Sequence, residues 1–164
     1  EECPTLVGVF VNMAMGDISI ITEKVGLDFA QLSADETNDM LLELRGIGFK
    51  SIRPMNMDMA LDDLKYFSSS MPDDERAPSI LLDAYHPSLY GGTGEQASEE
   101  VALAVKERVP RVMLAGGLNP ENIAERVTAI RPWGVDVASG VEDGTAGIKS
   151  AEKMCAFIKL AKEA

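Results

Sequence analysis

Apolar and polar positions follow two rhythms along this chain, and the change from one to the other recurs six times. Residues 6–12 form a continuous β-prone run, Leu-Val-Gly-Val-Phe-Val-Asn, as in a strand buried on both faces. Ile18, Ile21 and Val25 then recur at helical spacing up to Gly26, a residue suited to closing a helix in the left-handed conformation. A second strand is predicted over 27–32, followed by a polar break at 33–36. Thr37 stands where it caps a helix through Met40, Leu41 and Leu44, closed by Gly46 and Gly48. Residues 49–53 predict a third strand, stopped by Pro54.

The second half repeats the pattern. Leu61, Leu64 and Phe67 mark a Met-rich helix whose methionines read as core packing. Residues 79–85 predict a buried strand carrying Asp83 at its C-terminal end. A glycine-rich loop at 89–95 leads to a helix that starts at Ser98 and ends at Pro110. Residues 112–115 (Val-Met-Leu-Ala) break on Gly116-Gly117; a helix-like segment follows, and Val135 and Val137 then break on Ser139-Gly140. The last amphipathic helix spans 151–161, with Met154, Phe157, Ile158 and Ala161 on its apolar face.

Six strand–helix units in alternation predict an α/β protein with a parallel sheet, read as one domain over 1–164. Two architectures satisfy the pattern, an open doubly wound sheet and a (β/α) barrel. In both, the site lies beyond the C-terminal strand ends, where Asp83, Gly116, Gly117, Ser139 and Gly140 fall. Two consecutive strands that each break on small residues expose backbone N–H groups to which an anion can come close. Asp83 is a candidate general acid or base, with a pKa raised by partial burial. Asp136, within the last strand, faces either a ligand or an internal polar network. The glycine cluster at 91–94 lacks the Lys of a P-loop.

Composition narrows the partners. The formal net charge of −12 and the absence of a basic cluster exclude nucleic acid and anionic membranes as expected partners. Any anionic ligand must then be held by local dipoles and a few cations. Two cysteines, Cys3 and Cys155, and one histidine, His86, predict neither a disulfide framework nor a zinc site. No apolar run approaches the roughly 18 residues of a membrane span, and the expected location is the cytoplasm. The start at Glu1-Glu2-Cys3-Pro4, without Met and close to a strand, reads as that of a trimmed chain.

Five segments together carry a more specific signal: VGVFVN (7–12), LLDAYHPSLYGGTGE (81–95), LAGGLNPENI (114–123), GVDVASGVE (134–142) and GIKSAEKMCAFI (147–158). In this order they resemble the phosphoribosylanthranilate isomerases of tryptophan biosynthesis, compact (β/α)8 TIM barrels. The resemblance implies an incomplete barrel of six βα units, with VGVFVN as the third strand and the first two units absent. It implies an Amadori rearrangement of N-(5-phosphoribosyl)anthranilate to 1-(2-carboxyphenylamino)-1-deoxyribulose 5-phosphate, without metal or organic cofactor. Asp83 matches the family's general acid. Gly116, Gly117, Ser139 and Gly140 match its phosphate-binding loops, and Asp136 matches an acid that contacts the substrate. A sugar phosphate is the expected small-molecule partner, and fusion to or association with another tryptophan-pathway enzyme is compatible with the family.

The departures are equally specific. The family's general base is a cysteine in a Lys-x-Cys-Gly motif, which this chain lacks; Cys3 lies in a Glu-Cys-Pro context. A substrate-clamping Arg in a Ser-Pro-Arg segment is absent too. Ser33 stands where the family usually has His, and Ser88 where it usually has Gly. The isolated chain is therefore expected to lack turnover, and to leave unpaired strand edges at 7–12 and 134–138. Other readings are a related sugar-phosphate barrel, such as indoleglycerol-phosphate synthase or a ProFAR-type isomerase, and a non-catalytic phosphate-binding half-barrel.

Overall fold

The computed structural model describes residues 4–84 and 98–164. Six parallel strands pair in chain order: β1 (Val7–Phe10), β2 (Phe29–Leu32), β3 (Gly48–Ile52), β4 (Ile80–Leu82), β5 (Val112–Leu114) and β6 (Gly134–Val135). Each is followed by a helix: α1 (Met15–Val25), α2 (Asn38–Glu43), α3 (Met57–Phe67), α4 (Glu99–Lys106), α5 (Ile123–Ile130) and α6 (Ala151–Glu163). Neighbours in sequence are thus neighbours in the sheet, as in a curled barrel wall rather than a doubly wound sheet whose order reverses. Among the described residues, β1 and β6 each pair on one side only. No described helix is long and apolar enough to cross a membrane.

Local chemistry explains the element ends. Gly26 closes α1 at φ 72° with its N–H on the Thr22 carbonyl, the left-handed cap that glycine adopts without strain. Thr37, Asn56 and Ser150 cap α2, α3 and α6, each side chain accepting from the N–H of the third residue on. Gly48 does not close α2, as its position had implied, but opens β3. A Cβ there would come within 2.5 Å of Leu44 Cδ1, so the glycine lets helix and strand pack closely.

Strand alternation sorts the interior into two layers. One face of the sheet sends Leu32, Ile52, Ile80, Leu82, Val112 and Leu114 into the main core, against Ile18, Leu64, Val105, Ile123 and Phe157 of the helices. The other face carries a small cluster of Phe29, Phe49, Leu81 and Ala115, with Ala77 and partly buried Met113. Leu64 and Phe67 of α3 are buried as the helical spacing predicts, but Met55 and Met59 are exposed, so the Met-rich segment is core in part only.

Candidate active site

Leu81 and Ala115 of the small inner cluster line a cavity of about 300 Å³ at the C-terminal ends of the strands. Its walls follow the alternation of the sheet: Val9 and Val11 on β1 and just beyond, Gln31 and Ser33 for β2, Ser51 and Arg53 for β3, Leu81 and Asp83 for β4. Ala115, Gly116 and Gly117 follow β5, and Asp136 with Ser139 and Gly140 follow β6. All six residues singled out from sequence, Asp83, Gly116, Gly117, Asp136, Ser139 and Gly140, therefore line one cavity.

Asp83 continues β4 by one residue, its N–H donating to the Ile52 carbonyl at 2.9 Å. Its Oδ1 accepts from the Ala84 N–H at 2.8 Å. Burial lifts its pKa above the ordinary carboxylate range, and the Ala84 N–H and the Arg53 charge pull back only in part. Asp136 lies just past β6 rather than within it, yet keeps the ladder going through an N–H bond to the Leu114 carbonyl at 2.9 Å. Its side chain lines the cavity and is exposed to solvent there. Crowding, and then the like charge of Asp83, raise its pKa as well. Two carboxyls that hold protons above their usual range on one wall are an arrangement suited to proton transfer.

The glycines are needed sterically. Gly116 adopts φ 87°, and a Cβ there would lie 2.6 Å from the Ala84 backbone nitrogen and 3.0 Å from Asp83 Oδ1. A Cβ at Gly140 would fall 1.8 Å from the Leu118 carbonyl oxygen. The loops after β5 and β6 thus touch each other, and the first also touches the carboxyl on β4. Ser139 begins a 3-10 turn, Ser139–Val141, that the sequence pattern did not predict. Lys149 steadies this turn, donating to the Ala138 carbonyl at 2.7 Å and to Glu142 Oε1 at 2.9 Å.

Sequence reasoning passed over Gln31 and Arg53. Gln31 Nε2 donates to Ser33 Oγ at 2.9 Å, so the serine in the family's usual His position belongs to the wall. Arg53 donates to the Ser33 carbonyl. The signal for both was parity: two-residue steps along a strand stay on one face, and Ser51–Arg53 parallels Leu81–Asp83. Behind this wall, Lys50 and Glu36 form a buried ion pair at 2.8 Å. Cys3, His86, Ser88 and the glycine cluster at 91–94 lie outside the described residues. Cys155 is exposed on α6.

Comparison with known proteins agrees with this geometry. The family model for N-(5′-phosphoribosyl)anthranilate (PRA) isomerase matches residues 1–160; the expected loss of two N-terminal units is not borne out by that match. The isomerase of Trichlorobacter lovleyi is 40% identical over 158 residues, covering 96% of this chain and 72% of that protein. That of Roseiflexus castenholzii is 42% identical over 163 residues, covering 98% and 71%. The crystal structure of the Thermotoga maritima isomerase superposes with a TM-score of 0.80 at 30% identity, covering 96% of this chain and 73% of that one. An isomerase in complex with reduced 1-(o-carboxyphenylamino)-1-deoxyribulose 5-phosphate superposes with a TM-score of 0.76 at 29% identity, covering 96% and 71%. The wall of six parallel strands, with its cavity at their C-terminal ends, is therefore part of a TIM-barrel fold, and the chain belongs to the N-(5′-phosphoribosyl)anthranilate isomerase family.

Proposed function

We propose that this site carries out the Amadori rearrangement of N-(5-phosphoribosyl)anthranilate, the isomerase step of tryptophan biosynthesis. The observation that carries the reading is the convergence of an acid with a raised pKa, Asp83, and two touching small-residue loops on one cavity. In this reading the phosphate binds at Gly116, Gly117, Ser139 and Gly140, small residues that let an anion come close to backbone N–H groups.

Asp83 gives its proton to the furanose ring oxygen. The C1′–O bond breaks as the nitrogen lone pair forms the C1′=N bond of a protonated Schiff base, and the ring oxygen becomes a hydroxyl. Loss of the C2′ proton to a general base then returns the electron pair to nitrogen through C1′=C2′, and the enolamine tautomerises to the ketone. The imine is the electron sink, so the chemistry calls for no metal or organic cofactor. Asp136 contacts the sugar hydroxyls beside Asp83. The family's Lys-x-Cys-Gly base motif does not occur in this sequence, and the second proton transfer is assigned to no residue of this chain.

The family match and the names of its members favour this reaction over indoleglycerol-phosphate synthase or ProFAR-type chemistry. Calorimetry with reduced 1-(2-carboxyphenylamino)-1-deoxyribulose 5-phosphate tests the reading. Saturable binding at one site per chain, lost in Gly140→Val, is the expected result. Binding that survives this substitution, or no binding by the unaltered chain, rejects it.

A further inference from the structure

We infer that Lys149 is a positioning residue for phosphate recognition: it holds the Ala138 carbonyl so that the N–H of Ser139 is presented to the ligand. The inference rests on the isomerase reading above, which brings the phosphate against the turn at Ser139 and Gly140.

The phosphate end of the cavity has no side-chain cation. Among the described residues, none of those that line it after β5 and β6 is basic, and Asp136 is an acid. An anion there depends on hydrogen bonds from backbone N–H groups, and these work only when the peptide planes are turned the right way.

The carbonyls of the turn are engaged from the segment that leads into α6. Lys149 Nζ donates to the Ala138 carbonyl at 2.7 Å, and Lys153 Nζ to the Glu142 carbonyl at 2.7 Å. The Ser150 N–H donates to the Val141 carbonyl at 2.8 Å, and the Glu142 N–H to that of Ser139 at 3.0 Å. Lys149, Ser150 and Lys153 do not line the cavity, so they hold the turn from outside it. By contrast, nothing among the described residues accepts from the N–H groups of Ser139 and Gly140. A trans peptide is planar, with its C=O and N–H pointing in opposite directions. Holding the Ala138 oxygen therefore fixes the direction of the Ser139 N–H.

Lys149 is itself secured. Glu142 Oε1 accepts from its Nζ at 2.9 Å and from the Gly147 N–H at 3.0 Å, and residues 142 and 149 meet in an antiparallel bridge. With a carboxylate so close, the ammonium exerts little net attraction on a phosphate farther away. Its contribution is the orientation of the peptide.

The test compares, by calorimetry, reduced 1-(2-carboxyphenylamino)-1-deoxyribulose 5-phosphate with the same molecule lacking its phosphate. The unaltered chain is expected to prefer the first by about 100-fold, and Lys149→Met to remove about tenfold of that preference, the share of one hydrogen bond to a charged group. Affinity for the analogue without phosphate should change less than about twofold. Lys149→Arg, which still reaches both acceptors, should restore most of the preference. In NMR spectra the Ser139 amide proton should move downfield when the phosphate ligand binds the unaltered chain or Lys149→Arg, and stay in place in Lys149→Met. Circular dichroism and the urea midpoint separate loss of fold from loss of recognition; should Lys149→Met not fold, Glu142→Gln, which weakens the hold on Lys149, is expected to lose part of the preference in its place. An undiminished preference in a folded variant overturns the inference. Equal losses for both ligands also overturn it, because they make Lys149 a purely structural support. If the unaltered chain itself shows no preference for the phosphate ligand, the phosphate reading of the turn fails and this inference with it.

Discussion

Lys50 Nζ and Glu36 Oε2 meet at 2.8 Å in the protein interior, their side chains 6% and 1% exposed. Glu36 also accepts from the N–H groups of Asn12 at 2.8 Å and Ala34 at 2.7 Å, and Lys50 donates to the Ala34 carbonyl. Asn12 follows β1, Ala34 follows β2 and Lys50 lies in β3. One ion pair thus ties the ends of β1 and β2 to the middle of β3, on the side of the sheet opposite the cavity. The Lys50 ammonium also lies 5.7 Å from the centre of the Phe67 ring on α3.

Removing one partner of this pair leaves the other charge buried and unpaired. Lys50→Met is expected to cost about 3–5 kcal/mol of stability, read from urea unfolding, whereas a Glu36→Leu, Lys50→Met double variant should recover much of that loss. A single variant as stable as the unaltered chain would show that the pair is not what holds the three strands together there.

The same pair sets a limit on acid stability. Burial pushes the Glu36 carboxyl up, but Lys50 and the two backbone N–H groups outweigh it and hold it below 4.5. Its contribution to stability is therefore complete above the unfolded-state value and is lost as pH falls through the lowered folded value. Glu36→Gln should flatten the decline in urea midpoint below about pH 4.5.

Asp83 and Asp136 act with the opposite sign at higher pH. Their folded-state pKa values are raised above 3.8, so the folded chain binds protons more readily than the unfolded one. Stability gains as pH falls from neutrality through those raised values towards 3.8, and the gain is absent at pH 7. Asp136→Asn is expected to raise the urea midpoint at pH 7 and to leave a smaller rise between pH 7 and pH 5. A lower midpoint at pH 7 would mean that the ionised carboxylate is better stabilised by its surroundings than its crowding implies.

Gly140 allows a direct steric test. With a Cβ only 1.8 Å from the Leu118 carbonyl oxygen, Gly140→Ala must push the loop after β6 away from the loop after β5. Overpacking of this kind costs about 1–3 kcal/mol. Affinity for the phosphate-bearing ligand should fall at least tenfold, because the two halves of the cradle no longer meet, and calorimetry reads this directly.

The acid role of Asp83 has its own test. Asp83→Asn should lower the rate of N-(5-phosphoribosyl)anthranilate consumption by about 10²–10⁴-fold, the usual share of a positioned general acid. Activity unchanged by the substitution would remove Asp83 from the role.

Much of the fold could be read in the chain because its signals are local. Gly26 and Thr37 mark helix ends by their own backbone and hydroxyl chemistry, and six periodicity changes mark six units. Gly48 misled because a glycine that closes a helix and one that admits a helix against a strand look alike in sequence; Leu44 tells them apart only in space. The anionic cradle and Asp83 were legible from small residues and an acid at strand ends. Arg53 was passed over as the last residue of a strand, although its parity with Ser51 puts it on the inner face. The Glu36–Lys50 pair left no local trace, since its partners lie on different units and meet only when β2 and β3 pair.

β6 is paired over two residues only, Gly134 and Val135 against Met113 and Leu114. So short a ladder contributes little of its own, and the loops that follow β5 and β6 meet over the ligand rather than over a long shared hydrogen-bond register. An occupied cradle would then fasten the last strand to the wall. The free energy of binding adds to the stability of the folded form in proportion to the logarithm of ligand concentration, and this edge is where it would be felt first. The amides of Trp133 and Asp136, which donate to the carbonyls of Val112 and Leu114, become a built-in gauge: their hydrogen exchange should slow as the cavity fills, while that of β2 and β3, sealed by Lys50 and Glu36, stays almost unchanged.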